Sequence, residues 1–283
     1  MTTLVDLHGI SLPSRYEIRP VHPDHWEWCR ALLTKEMLLR APVWRPLVRN
    51  PKVKTALQHF EGLRKFHAHN LESGLSYALY DKEYEFKRPE SAATGGALYW
   101  HEIDIEDPRL EEQGPQWMLD KMDFPIVALA LSYDLFAPPT NEARAIMADV
   151  APLWLQMMKQ YFSDASSTIP GLPVPTSLGQ YVHRSGCVTR TGYERQGLGR
   201  LFSWWVCLEM EAKGYKGVLI GAGNASINPI YLRDDAPFKS TFILEQDMSQ
   251  TEIDMGEEKV RPWLHEEWKE FKYVLVDLTK RVS

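Results

Sequence analysis

Cysteine is scarce in this 283-residue chain: there are three, Cys29, Cys187 and Cys207, and no CxxC pair. An odd, unpaired set excludes a disulfide framework and a structural zinc site and points to a reducing, cytoplasmic setting. Long apolar runs are missing as well. The longest, PIVALAL at 125–131, is too short to span a bilayer. The N-terminus lacks the basic start and apolar run of a secretory signal. Nor is there a surplus of positive charge: 32 Lys and Arg against 38 Asp and Glu give a net charge of -6. The basic residues are scattered among acids, which argues against nucleic acid as the partner. Internal repeats and low-complexity tracts are absent. What remains is 44% hydrophobic and 25% charged, the composition of a folded globular chain.

The hydrophobic pattern alternates between helix and strand. RYEIRPV (15–21) predicts a strand, and Asp24 stands where a cap would precede a helix carrying Trp28, Leu32, Leu33 and Leu39. A second helix is expected over 52–71. Strands over 75–86 and 96–105 would form a hairpin around PESAATGG. Residues 126–136 read as strand or buried helix, which periodicity alone does not separate. Thr140 predicts the cap of a helix over about 141–162, and SSTIPGLPVPTS a proline-rich loop. Strand 180–190, helix 197–215 stopped by Gly214, strand KGVLIGAG, a short helix near 224–233 and strands at 238–245 and 272–278 complete the chain.

Chemistry concentrates in TGYERQGLGRLF, which joins a strand to a helix. Backbone N–H groups at a helix N-terminus, backed by the helix dipole, bind phosphate, and Gly197 and Gly199 would let a ligand approach. Arg195 and Arg200 add positive charge. A ligand-free tight turn fits the same residues. A P-loop does not, because Leu198 follows Gly197 where Lys is required. VLIGAGNAS is a rival: it follows a strand, and Glu245 lies about 20 residues on, as a dinucleotide site demands. Ser226 replaces its third glycine, and prolines interrupt the helix that should follow.

TRTGYERQGLGRLF resembles the pyrophosphate-binding motif of the Gcn5-related N-acetyltransferases. In that register Gly197 and Gly199 match, Arg195, Gln196, Leu198 and Arg200 are the neighbouring amides, and Glu194 departs from the family's Arg or Gln. Asn224, Ile227 and Tyr231 reproduce a second family spacing, although the Gly-Phe that usually follows the Tyr is absent. The resemblance implies that Asn224 contacts pantetheine, that Cys187, Val188 and Thr189 present backbone N–H groups to the oxyanion, and that Tyr231 protonates the departing thiolate. Tyr231 reads equally as an aromatic packing its short helix. His183 lies six residues before Thr189, a spacing that places both on one face of a strand. Arylalkylamine N-acetyltransferases carry a histidine at that offset, which implies a base for the amine proton. A histidine merely hydrogen-bonded in a sheet fits as well, with His101 and Glu102 as spare bases. Nothing beside Cys187 in the sequence would activate it for a covalent route.

The resemblance implies an α/β fold with a mixed, strongly bent sheet flanked by helices. It would be a single acyl-CoA-binding domain over 1–283: core at about 15–105 and 178–246, insertion at about 106–177, C-terminal extension at about 247–283. Acetyl-CoA or another acyl-CoA would be the cosubstrate and a small-molecule amine the acceptor, with no membrane partner. A dinucleotide-dependent oxidoreductase and a catalytically silent binding module are the alternatives.

Overall fold

The computed structural model describes residues 4–282 except 49, 103, 163–169, 226 and 255–258. Seven strands form one mixed sheet: β1 (Tyr16–Pro20), β2 (Tyr77–Asp81), β3 (Ile126–Asp134), β4 (Tyr181–Thr189), β5 (Gly217–Ala222), β6 (Phe238–Asp247) and β7 (Glu270–Arg281). Their spatial order is β6-β7-β5-β4-β3-β2-β1. All neighbours are antiparallel except β4 and β5. That parallel pair runs from Tyr181↔Gly217 to Arg184↔Ile220 and stops there. Beyond Arg184, β4 stays hydrogen-bonded to β3 alone, as far as Thr189↔Ala128. The two strands therefore part in the middle of the sheet.

Helix α1 (Trp26–Arg40) covers one face together with α2 (Lys52–Gly62), α3 (Arg64–Glu72) and the kinked α4 (Arg109–Asp120). Leu32, Leu33 and Leu39 of α1 are buried there against Ala78, Tyr80, Leu129 and Leu131. Two further helices, α5 (Asn141–Val150) and α6 (Pro152–Phe162), follow β3, and α7 (Leu198–Ala212) packs on the opposite face. Phe202, Trp205 and Val206 of α7 meet Leu79, Val127, Ala130 and Val218. Strand β3 is covered on both faces. This is why its sequence is a continuous apolar run rather than an alternating one, and why periodicity left strand and helix undecided. Each such buried Leu, Val or Phe contributes about 1.5–3 kcal/mol.

Several expectations are corrected. Of the described residues in 96–105, only Ala97–Leu98 is extended, paired with Met122–Asp123 outside the main sheet, and Trp100–Glu102 form a 3-10 turn. Trp100 is held by its indole N–H on the Met118 carbonyl, 3.0 Å, and by edge-on packing against Phe60. Residues 89–94, expected as a hairpin loop, are a short helix opened by Pro89. The partners of β2 are β1 and β3 instead, so a central strand lies within 106–177, the stretch read as an insertion. Asp24 caps nothing, since Pro23–His25 form a 3-10 turn ahead of α1. The helix over 52–71 breaks at Leu63, and that over 141–162 breaks at Ala151 before Pro152, which cannot continue the ladder. Thr140 does cap α5, accepting from the Ala143 N–H at 3.1 Å.

Candidate functional site

The loop between β4 and α7 is anchored from outside. Glu36, buried near the end of α1, accepts hydrogen bonds from the Thr191 N–H and hydroxyl, both 2.9 Å. Lys35 and Arg40 flank it, each paired with Glu36 at 2.9 Å. Arg40 also pairs with Glu194, whose second oxygen accepts from the Gly192 N–H at 2.7 Å. The carboxylate that departs from the family pattern is thus neutralised, and the Arg40 guanidinium holds its pKa low against the opposing effect of burial.

The two glycines serve different ends. Gly197 caps α7 with φ +77°, a conformation other residues adopt at a cost of roughly 1–2 kcal/mol. Gly199 is an approach point: a Cβ there would meet Thr189 Oγ1 at 3.0 Å. Only Gly197 therefore shapes the turn itself, while Gly199 lets the helix close on β4. No side chain caps α7, and its first ladder bond is from the Leu201 N–H to the Gly197 carbonyl, 3.0 Å. The N–H groups of Leu198, Gly199 and Arg200 precede that ladder and open onto a cavity. This cavity, about 990 Å³, also takes in Arg195, Gln196 and Asn224 and reaches Cys187 to Thr189 through the gap between β4 and β5. The Arg190 N–H donates to the Val127 carbonyl at 2.8 Å, so by ladder alternation the N–H groups of Cys187 and Thr189 point away from β3, into the gap.

A short helix, α8 (Ile227–Tyr231), brings Tyr231 to the inner end of that cavity. The side chain of Ile227 lies outside the described residues, as does Ser226 of the dinucleotide reading. A helix of five residues gives little dipole for a pyrophosphate, so VLIGAGNAS lacks the element its rival role requires. The Trp204 indole N–H donates to the Ile230 carbonyl at 2.6 Å and fixes α8 on α7. Tyr231 is buried, its hydroxyl accepts from Arg184 Nη1 at 3.1 Å, and burial pushes its pKa up while the guanidinium opposes the shift. Cys187 faces the cavity with its sulfur 3.7 Å from the Ser203 hydroxyl.

A second cavity of about 670 Å³ lies across the junction, between α1, α2, α3, α5 and β7. Arg184, Ser185 and Gly221 line both spaces. Its walls are aromatic and aliphatic, with Trp44, Phe66, Tyr133, Trp154 and Tyr273 prominent, and Asp149 at the surface is the one carboxylate among the described lining residues. His183 stands in this wall beside Tyr133, ring centroids 4.9 Å apart. Burial lowers its pKa to about 4, and its Nδ1 has no hydrogen-bond partner among the described residues. His67 is pushed further, to about 3, by burial and by Arg30.

His183 and Thr189 do not share a face. Leu131 pairs with Gly186 and Ser132 with Arg184, so Ser185 is an extra residue in β4. The bulge reverses the side-chain parity: Val182 packs on the α7 side, Val188 on the α1 side. Thr189 meets α7, whereas His183 faces the second cavity. His101 and Glu102 line neither space. Both are exposed, and Glu102 pairs with Lys121 and Arg88. Arg184, Arg40 and Glu36 escaped the sequence reading. Arg184 had a signal, for it alternates with Val182 on the buried face of β4, where a charge is out of place.

No protein-family model matches the chain, and no curated protein does. Solved structures do. The C-terminal condensation domain of Ebony, in complex with beta-alanyl-dopamine, superposes with a TM-score of 0.58 at 12% identity over 92% of this chain and 98% of its own. Arylalkylamine N-acetyltransferase 7 of the yellow fever mosquito gives 0.52 at 10%, over 93% and 87%. Arylalkylamine N-acetyltransferase 2 of Aedes aegypti gives 0.51 at 10%, over 95% and 100%.

Proposed function

Starting from a chain with the Gcn5-related N-acetyltransferase fold, we propose that it is a single-domain N-acyltransferase moving an acetyl or short acyl group from acyl-CoA to the amine of a small molecule. The observation that carries this reading is the meeting of two cavities where β4 and β5 part. One reaches an uncapped helix N-terminus, which suits a pyrophosphate. The other is aromatic and nearly free of carboxylates, which suits an acceptor with an aromatic body and a single amine.

CoA supplies an activated thioester when bound. Leu198, Gly199 and Arg200 would hold its phosphates by backbone N–H groups, with Arg195, Gln196 and Gly197 completing the loop and Asn224 along the pantetheine. Cys187 and Thr189 N–H groups, with Val188 between them in the strand, would receive the oxyanion. His183, neutral at pH 7, would take the amine proton, and Tyr231 would return one to sulfur. Both substrates reach the junction from opposite sides, which supports direct transfer in a ternary complex. Thermal-shift measurements with acetyl-CoA, CoA, NAD and NADP test the donor: CoA and acetyl-CoA should raise the melting temperature. A response to NAD or NADP alone would overturn the reading.

A further inference from the structure

The guanidinium of Arg184 is buried where no carboxylate of the described residues answers it. Among the described residues it forms no ion pair, its Nε and Nη2 lack partners, and its neighbours are the Tyr231 hydroxyl, on which Nη1 donates at 3.1 Å, and the Cys207 thiol. Other buried arginines are placed differently. Arg190 donates to the carbonyls of Phe124 at 2.5 Å and Ile126 at 3.4 Å as well as Met122, which ties β4 to β3. Arg30 shares the unpartnered Nε and Nη2, but it pairs with Glu27 at 2.6 Å and lies 4.3 Å from the Phe60 ring centroid. An uncompensated buried cation costs several kcal/mol, a cost packing alone does not explain. Arg184 is also the last residue of β4 in register with β5, and it borders both cavities.

We infer that Arg184 is a positioning residue of the acyl transfer, holding the Tyr231 hydroxyl with its proton turned toward the donor sulfur and steadying the phenolate once that proton has left. The inference rests on the N-acyltransferase reading. Its physical basis is donor and acceptor bookkeeping. A guanidinium has donors only, so the Tyr231 oxygen must accept in this bond and its hydrogen must point elsewhere. Ser203 of α7 also contacts the hydroxyl, leaving the donor cavity as the open direction. The titratable groups facing Arg184 are Tyr231 from α8, Cys207 from α7 and Cys187 from its own strand. The residues in register with it, Ser132 on β3 and Ile220 on β5, do not titrate as carboxylates or amines do.

In the step itself the amine nitrogen bonds to the thioester carbon and the carbon–sulfur bond breaks, its electron pair leaving on sulfur. His183 takes the proton shed by the nitrogen, Tyr231 gives its own to that sulfur and becomes a phenolate, and the phenolate regains a proton from solvent as His183 releases one to it. Nothing is oxidised or reduced. Through both stages the Arg184 N–H stays on the same oxygen, and its charge offsets the one that appears there.

The test needs no acceptor. Binding of CoA and of S-methyl-CoA, which cannot ionise, is measured by calorimetry between pH 7 and 9.5. A junction built to receive a thiolate should favour CoA over S-methyl-CoA by about tenfold more at the upper pH than at the lower. Arg184→Gln should reduce the change below about twofold, and Tyr231→Phe as much. The double variant should match either single, as residues acting as a unit do. Arg184→Lys, which keeps the cation, should retain part of the effect and stands in if the Gln variant does not fold. A flat ratio in the wild type, an unchanged ratio in Arg184→Gln, or losses that add in the double variant would overturn the inference. If CoA and S-methyl-CoA both fail to bind at every pH, the donor site itself is refuted and the inference with it.

Discussion

The two cavities proposed above as donor and acceptor sides of the junction are built in opposite ways. The donor side is more local: one strand, one loop and one helix, Tyr181 to Ala212, supply half of its lining, and buried Glu36 of α1 braces the loop through Thr191. The acceptor side is assembled from five helices and four strands, from Leu33 to Tyr273 in the sequence, and hydrophobic packing rather than a motif shapes it. The lesson is one of specificity. A phosphate needs only a row of backbone N–H groups, which one sequence motif can encode. An acceptor pocket needs side chains brought together by the whole fold.

Four substitutions separate the two sides, from the largest effect down. Tyr231→Phe, at the junction, should lower kcat about 10²- to 10⁴-fold with little change in acyl-CoA KM. It also leaves Arg184 without its partner, so stability should drop by about 1–3 kcal/mol in denaturant unfolding. An unaltered rate would reduce Tyr231 to packing. Gly197→Glu puts a carboxylate at the start of α7 and a side chain on a left-handed backbone. CoA affinity should weaken by roughly 100-fold, about 3 kcal/mol, in calorimetry, while amine binding is spared. Equal loss on both sides would break the contrast.

His183→Gln should act on the acceptor side alone. Its native pKa of about 4 lies below the unfolded value of about 6.5, so the unfolded chain binds more protons between those limits. Stability tied to His183 is therefore complete above pH 6.5 and falls away as pH drops toward 4. The variant should show a shallower loss, by about 1–3 kcal/mol, in unfolding curves across that window. Its activity should fall with CoA binding intact, and the acid limb of the rate near pH 4 should vanish. A wild-type profile would make the histidine structural. Arg40→Gln has the smallest effect. A half-exposed pair to Glu194 is worth about 0.2–1 kcal/mol, so CoA binding should weaken by no more than about fivefold. A hundredfold loss would mean that Arg40 itself grips phosphate.

Much of the donor side was legible. The strand at 180–190 and the helix ended by Gly214 stand as expected, because each rests on local backbone chemistry. The second hairpin strand was misplaced for the same reason in reverse. Residues 96–105 have strand composition, but Trp100 finds a better burial against Phe60 and Met118 in a turn, and the apolar run 126–134 takes the sheet position. Composition does not show which of two apolar segments the sheet will accept.

What the sequence alone determined is whatever a few consecutive residues enforce: a glycine at φ +77°, a threonine capping α5, an uncapped helix start after a strand. The tertiary structure alone decided the rest. A single bulge at Ser185 turns His183 and Thr189 to opposite faces. The end of β4–β5 pairing at Arg184 opens the junction, and a buried guanidinium meets a tyrosine hydroxyl 47 residues away. These depend on register between strands and on which face is covered. Hydrogen bonds between distant segments set both, and no short stretch of sequence contains the two partners.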